Sequence, residues 1–184
     1  RSGARMASSK RERDGVVELL VPDIGDDLSA VFGGRPVPVQ IIGRRGDQLM
    51  ILVAAEGTPP AGGAVLELEA GFAETSKVTA SGHVLANDFF RVEVNAEGEI
   101  TSLWDKRAGR EVVAEGQSAN QLQLFQDGPE RESAWNVHTT STQRRYDWDP
   151  GTEVKVTETG PVRATIQVTR THGETKLVQH ISLY

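Results

Sequence analysis

Apolar and polar positions alternate with period two along most of this 184-residue chain, which predicts strands with one packed face and one wetted face. VVELLV (16–21), PVPVQII (36–42), QLMILVAA (48–55) and AVLELE (64–69) are short and rich in Val, Ile and Leu. FGGRP (32–36) and EGTPPAGG (56–63) stop strands with Gly and Pro, and RRGDQ (44–48) reads as a hairpin loop. These strands predict a small β-sandwich over residues 14–75.

From residue 76 the strands pair through tighter reversals. FFRVEV turns through Asn95-Ala96-Glu97-Gly98 into EITSLW, and Gly98 is expected to take the positive φ of that hairpin. Asp105 to Gly109 turns the chain again toward EVV. EVKVTET (153–159) breaks at Gly160-Pro161, VRATIQVTRT (162–171) turns at His172-Gly173, and a last strand runs to Tyr184. Val162, Ala164, Ile166 and Val168 share one face of the middle strand. No amphipathic stretch of period 3.6 reaches helical length, so the fold class is all-β. Residues 76–184 are expected to form the first part of a larger β region, its open last strand prone to edge-strand self-association.

Composition narrows the picture. Net charge is −6, yet residues 1–13 carry five Lys and Arg against one Glu; this segment reads as a disordered basic leader or a cloning remnant. Nothing downstream offers a basic groove with interleaved aromatics, so no nucleic-acid partner is expected. Cysteine is absent, which excludes disulfides and thiolate metal sites. No N-glycosylation sequon, secretory h-region or membrane-length apolar run occurs, and the expectation is a cytoplasmic protein with no membrane partner.

The chemistry is sparse. His83, His138, His172 and His180 show no metal-ligand spacing, and no metal site is expected in this chain. Asp23, Asp26 and Asp27 lack the alternate-ligand spacing of a calcium loop and read as a solvated turn. Asp147 and Asp149 in YDWDP sit beside one another rather than astride a scissile bond, so a turn before Pro150 explains them at least as well. Nucleophile-elbow, dinucleotide and P-loop patterns are all missing, and no catalytic residue is assigned. The aromatics remain. Trp104 ends a clean strand and is expected in the core, whereas QLQLFQDGPERESAWNVH (121–138) joins a strand and turn to Trp, Asn and His. An indole stacks on the C–H face of a sugar while amides and carboxylates bind its hydroxyls, so Gln126, Asp127, Trp135, Asn136 and His138 are the substrate-cleft candidates. The competing reading is a buried Trp135 anchoring a sandwich corner.

Several motifs in fixed order resemble the C-terminal β region of glycoside hydrolase family 38, the α-mannosidases. They are Asn87 to Asp105 (NDFFRVEVNAEGEITSLWD), Asn120 to Pro129 (NQLQLFQDGP), Ala134-Trp135-Asn136, Gly160 to Ala164 (GPVRA) and the terminal Ile181 to Tyr184 (ISLY). The strong similarity spans about residues 84–184; residues 14–75 are similar, more weakly, to the smaller β domain that precedes it. The resemblance implies a galactose-mutarotase-like β super-sandwich. It also implies a retaining, zinc-dependent enzyme acting on α-mannoside glycans, whose zinc and nucleophilic aspartate belong to an N-terminal catalytic domain outside this chain. On that footing this chain is a scaffold and cleft wall, inactive alone, with Gln126 to His138 facing the active site. Many members read W-D-A-W-D where this chain has Glu132 to Asn136, which leaves sugar and linkage open. The alternative is a free-standing carbohydrate-binding or protein-interaction module.

Overall fold

The computed structural model describes residues 2–7, 13–58, 63–71, 78–126 and 143–184. No α-helix occurs among them, and every strand pairing is antiparallel. The first strands are β1 (Ser2–Ala7), β2 (Arg13–Pro22), β3 (Leu28–Phe32), β4 (Arg35–Val37), β5 (Val39–Arg45), β6 (Gln48–Thr58) and β7 (Gly63–Ala70). They form two facing sheets, one in the order β1-β7-β3-β4 and one in the order β2-β6-β5. Leu66 and Leu68 of β7, Ala30 and Phe32 of β3, and Leu49, Ile51 and Val53 of β6 meet in a single core. The alternation in AVLELE therefore has a simple cause: Leu66 and Leu68 are buried while Val65, Glu67 and Glu69 are exposed.

Part of the segment read as a leader lies along this sandwich. Ser2–Ala7 pairs with β7 from Ser2↔Leu68 to Ala7↔Gly63. An uncovered β7 edge would present a row of open backbone donors and acceptors, and β1 fills it.

The second sandwich holds β8 (Thr79–Ser81), β9 (Val84–Ala86), β10 (Phe90–Val94), β11 (Ile100–Asp105), β12 (Arg110–Glu111), β13 (Leu124–Phe125), β14 (Arg145–Tyr146), β15 (Glu153–Thr159), β16 (Ala164–His172) and β17 (Thr175–Leu183). A five-stranded sheet β12-β11-β10-β9-β8 covers a three-stranded sheet β15-β16-β17, and β13-β14 form a small ribbon beside them. Val92 and Val94 of β10 meet Ala164, Ile166 and Val168 of β16 in the second core, where Leu85 and Val78 are also buried.

The turn between β10 and β11 rests directly on β16. Gly98 has φ +76°, and a Cβ built there would lie 2.3 Å from Val168 Cγ1 and 2.8 Å from Arg170 Nη2. Asn95 holds the turn: its carbonyl accepts from Gly98 N at 3.0 Å and its side-chain oxygen accepts from Glu99 N at 2.8 Å. Asn120, itself at φ +60°, donates to the Gly98 carbonyl at 3.1 Å and accepts from Gln179 Nε2 at 2.6 Å.

The two sandwiches meet through the second face of β2-β6-β5. The run LMILVAA is apolar on both sides because one side is covered fully and the other in part. Leu49, Ile51 and Val53 point into the first core, while the intervening Leu52, 3% exposed, and its cross-strand neighbour Gln40, 7% exposed, are buried on the opposite face. There Gln40 Oε1 accepts two successive amide hydrogens of the second sandwich, Val162 N at 3.0 Å and Arg163 N at 2.7 Å.

Two measurements check this account. Gly98→Ala should lower unfolding stability in urea by about 2–4 kcal/mol, from left-handed backbone strain plus overlap in a packed core. Gln40→Ala should cost about 1–3 kcal/mol by stranding buried donors and should speed hydrogen exchange at the Val162 and Arg163 amides.

Candidate functional site

The strand QLQLF ends in the β13-β14 ribbon, where Leu124 faces Tyr146 and Phe125 faces Arg145 across the pair. Gln126 follows directly; it is exposed, and its backbone N–H donates to the Arg144 carbonyl at 2.8 Å. The other four cleft candidates, Asp127, Trp135, Asn136 and His138, lie outside the described residues. The ribbon therefore brings together the two ends of the stretch that carries them.

Just beyond the ribbon, YDWDP makes a polar corner. Tyr146 packs on His172 with ring centroids 5.0 Å apart, and His172 Nδ1 lies 3.0 Å from the Asp147 carbonyl. Asp149 is a turn residue: its N–H donates to the Thr171 carbonyl at 2.9 Å and its Oδ2 accepts from Gly173 N at 2.8 Å. Trp148 donates its indole N–H to the Leu122 carbonyl at 3.0 Å. With Glu97, Glu99, Pro150 and Arg170 it lines an open cavity of about 470 Å³. Arg170 is 4% exposed; its guanidinium donates to the Glu97 carbonyl at 2.6 Å and to Gln179 Oε1 at 3.3 Å. Burial draws its pKa down, partly offset by the charge of Glu99.

A second pocket, about 400 Å³, lies on the outer face of β15-β16-β17 against Ile41 and Ile42 of β5. Glu158 and Arg163 face each other there across the Gly160-Pro161 turn. Arg163 donates Nε to Oε2 at 2.6 Å and Nη2 to Oε1 at 2.5 Å, the bidentate fork that suits a guanidinium to a carboxylate. The Thr165 hydroxyl adds a third donor to Glu158, and the Arg163 guanidinium lies 5.9 Å from the centre of the Tyr184 ring. The Arg163 hydrogen bond, more than burial opposes it, holds the Glu158 carboxyl below its ordinary range. His180, exposed, reaches Gln167 Oε1 at 3.3 Å. With both Glu158 oxygens taken, this pocket is a locked ion pair rather than a poised acid or base.

Other acidic groups are structural. Asp23 accepts from Gly25 N at 3.0 Å, and Asp23 and Asp26 both pair with Arg44, which makes PDIGDD a pinned turn. Among the described residues, no three His, Cys, Asp or Glu side chains converge as a metal site would require, and no helix is long and apolar enough to cross a membrane.

Comparison with known proteins places this architecture. Residues 85–184, more than half of the chain, match the family described as the glycosyl hydrolases family 38 C-terminal domain. The chain belongs to that family. Two relatives carry α-mannosidase names. Alpha-mannosidase G of Dictyostelium discoideum is 35% identical over 94 residues, 50% of this chain and 9% of that protein. Human alpha-mannosidase 2C1 is 43% identical over 53 residues, 29% of this chain and 5% of that protein. The chain thus spans less than a tenth of the length of these relatives. A crystal structure of a family 38 glycosyl hydrolase from Enterococcus faecalis aligns over 89% of this chain and 23% of its own, with TM-score 0.55 and 15% identity. At that identity the likeness shows the all-β fold alone.

Within the family 38 domain the motif that begins at Asn87 sits on a joint of the sandwich. Asn87 accepts from Phe89 N at 2.8 Å and Phe90 N at 2.7 Å and donates to the Tyr184 carbonyl at 2.7 Å. Trp104 departs from expectation. It is 41% exposed, because alternation on β11 turns Leu103 onto the core and leaves Trp104 on the outer face beside Arg91 and Glu111. Sequence reasoning missed the Glu158–Arg163 fork and the buried Arg170. Their only signals were opposite charges either side of a Gly-Pro turn and an Arg in phase with the apolar face of β16.

Acid should loosen this domain through carboxylates held below their ordinary range, Glu111 and Glu158 among them. Glu111 accepts first from the Ser102 hydroxyl and then from the N–H groups of Val113, Leu103 and Val112, which brings its pKa from 4.5 to about 2; Glu158 is lowered as well. A carboxyl with a depressed folded pKa stabilises above its unfolded value and loses that contribution as pH falls. The urea midpoint should therefore drop as pH goes from about 4.5 toward 2, and Glu111→Gln with Glu158→Gln should flatten that part of the profile.

Proposed function

We propose that this chain is the β region of a retaining α-mannosidase, serving as scaffold and as one wall of the substrate cleft without catalysing the reaction alone. The observation that carries the reading is the family 38 C-terminal domain match across the second sandwich, together with α-mannosidase relatives at 35% and 43% identity. In this reading the substrate is an α-mannoside glycan, and the partner is an N-terminal catalytic domain carrying the nucleophile and a zinc ion. The described residues offer zinc no donor set. Their own contribution is mechanical: two cores, sewn together at Gln40, give the catalytic domain a rigid surface to pack against.

The cleft wall is assigned to Gln126 through His138, of which Gln126 is exposed at the end of the β13-β14 ribbon. Asp127, Asn136 and His138 would meet sugar hydroxyls, and Trp135 the C–H face of the ring.

A chromogenic α-mannoside tests the reading. The full-length protein with zinc should hydrolyse it, and this chain alone should not. In the full-length enzyme, Trp135→Ala should lower kcat/KM about tenfold or more with little change in unfolding stability. Turnover by the isolated chain would overturn the scaffold role. A stability loss of about 3 kcal/mol or more in Trp135→Ala, as for a core tryptophan, would return that residue to the packed interior.

A further inference from the structure

We propose that the cavity framed by Trp148, Glu97, Glu99 and Arg170 is a second sugar-holding site and takes a neutral pyranoside. The proposal rests on the glycosidase reading for the class of ligand; the chemistry that selects it is in the cavity.

The first requirement is a fixed aromatic plate. Trp148 is half-buried, and the bond from its indole N–H to the Leu122 carbonyl holds the ring in place before any ligand arrives. A pre-set plate removes the ordering cost that weakens binding to mobile side chains. The apolar face of a pyranose matches such a plate.

The second requirement is hydroxyl recognition. Three carboxylates line the cavity. Asp149 uses Oδ2 on Gly173 N and Glu99 uses Oε2 on the Ser118 hydroxyl; each keeps one oxygen to accept from a ligand. Glu97 is exposed, and its backbone carbonyl accepts from Arg170. A guanidinium has about five N–H donors, and among the described residues two groups accept from that of Arg170, so donors remain for a ring or hydroxyl oxygen. Acceptors and donors around one apolar plate are the complement of a polyol with one C–H face.

The same inventory excludes other ligands. Three carboxylates against one guanidinium repel an anion. Among the described residues no three acids converge as a metal site requires. At about 470 Å³, the cavity falls within the usual range of small-molecule clefts, about 300–1,000 Å³.

Saturation-transfer NMR on this chain tests the site, with methyl α-D-mannopyranoside and methyl β-D-glucopyranoside as probes. Both should show transfer to ring protons on one face, with millimolar affinity. Trp148→Ala should abolish it, Glu97→Ala should weaken it about fivefold, and Trp135→Ala should leave it unchanged. Glu97→Ala leaves the carbonyl that holds Arg170 in place, so it reads the site even if Trp148→Ala fails to fold. No transfer from either sugar, or transfer unaffected by Glu97→Ala, would overturn the proposal. So would transfer lost with Trp135→Ala, which would move binding to the cleft segment. Hydrolysis by the full-length enzyme is independent of all these outcomes, so the catalytic reading can fail or stand separately.

Discussion

A turn pressed against a strand, with no space between them for even one methyl group, organises the second sandwich. Gly98 brings the β10-β11 turn onto β16 so closely that Val168 and Arg170 occupy the place of a side chain. That approach lets the Glu97 carbonyl reach the Arg170 guanidinium and the Gly98 carbonyl reach Asn120. Asn120 then exchanges hydrogen bonds with Gln179 on β17. One glycine thus permits a polar knot that ties hairpin, loop and both strands, and two of its members, Glu97 and Arg170, line the cavity with Trp148. A buried guanidinium is tolerated there because backbone and amide oxygens replace the water it lost.

The first sandwich relates to the second through a different device. Its sheet β2-β6-β5 has one face against its own core, while around Leu52 and Gln40 the other face is buried toward the neighbouring sandwich and Leu20 on that face stays exposed. Apolar burial on that second face is not directional, whereas the Gln40 oxygen receiving two adjacent amides is. The hydrophobic side supplies adhesion, and the glutamine fixes which residues of the second unit lie opposite it.

The fold was largely readable because its signals are local. Val, Ile and Leu in alternation, stopped by Gly and Pro, give strands irrespective of what they pair with, and a glycine closing Asn95-Ala96-Glu97-Gly98 announces a positive φ. Contacts that depend on distant segments were not readable. LMILVAA looks like one more strand in sequence, and only the opposing sandwich explains why Leu52 is as dry as Ile51. Trp104 illustrates the opposite error: an aromatic at a strand end suggests a core, but the pleat decides the side, and Leu103 took it. The candidate site was legible as a composition, aromatic with amides and acids, and Gln126 is the member for which the structure adds a position. The Glu158–Arg163 fork and the Trp148 cavity arise from strands and loops that only the fold brings together.

The reach of Gln40 also has a consequence for biosynthesis. Its partners Val162 and Arg163 lie 122 and 123 residues downstream, whereas every strand of the first sandwich is in hand once β7 has emerged. At ribosomal speeds of about 5–20 residues per second, that separation is a delay on the order of ten seconds. Through that interval a half-built protein displays Leu52 and the unanswered Gln40 side chain to solvent or to a chaperone, so the face that later joins the sandwiches is first an exposed apolar surface of the nascent chain.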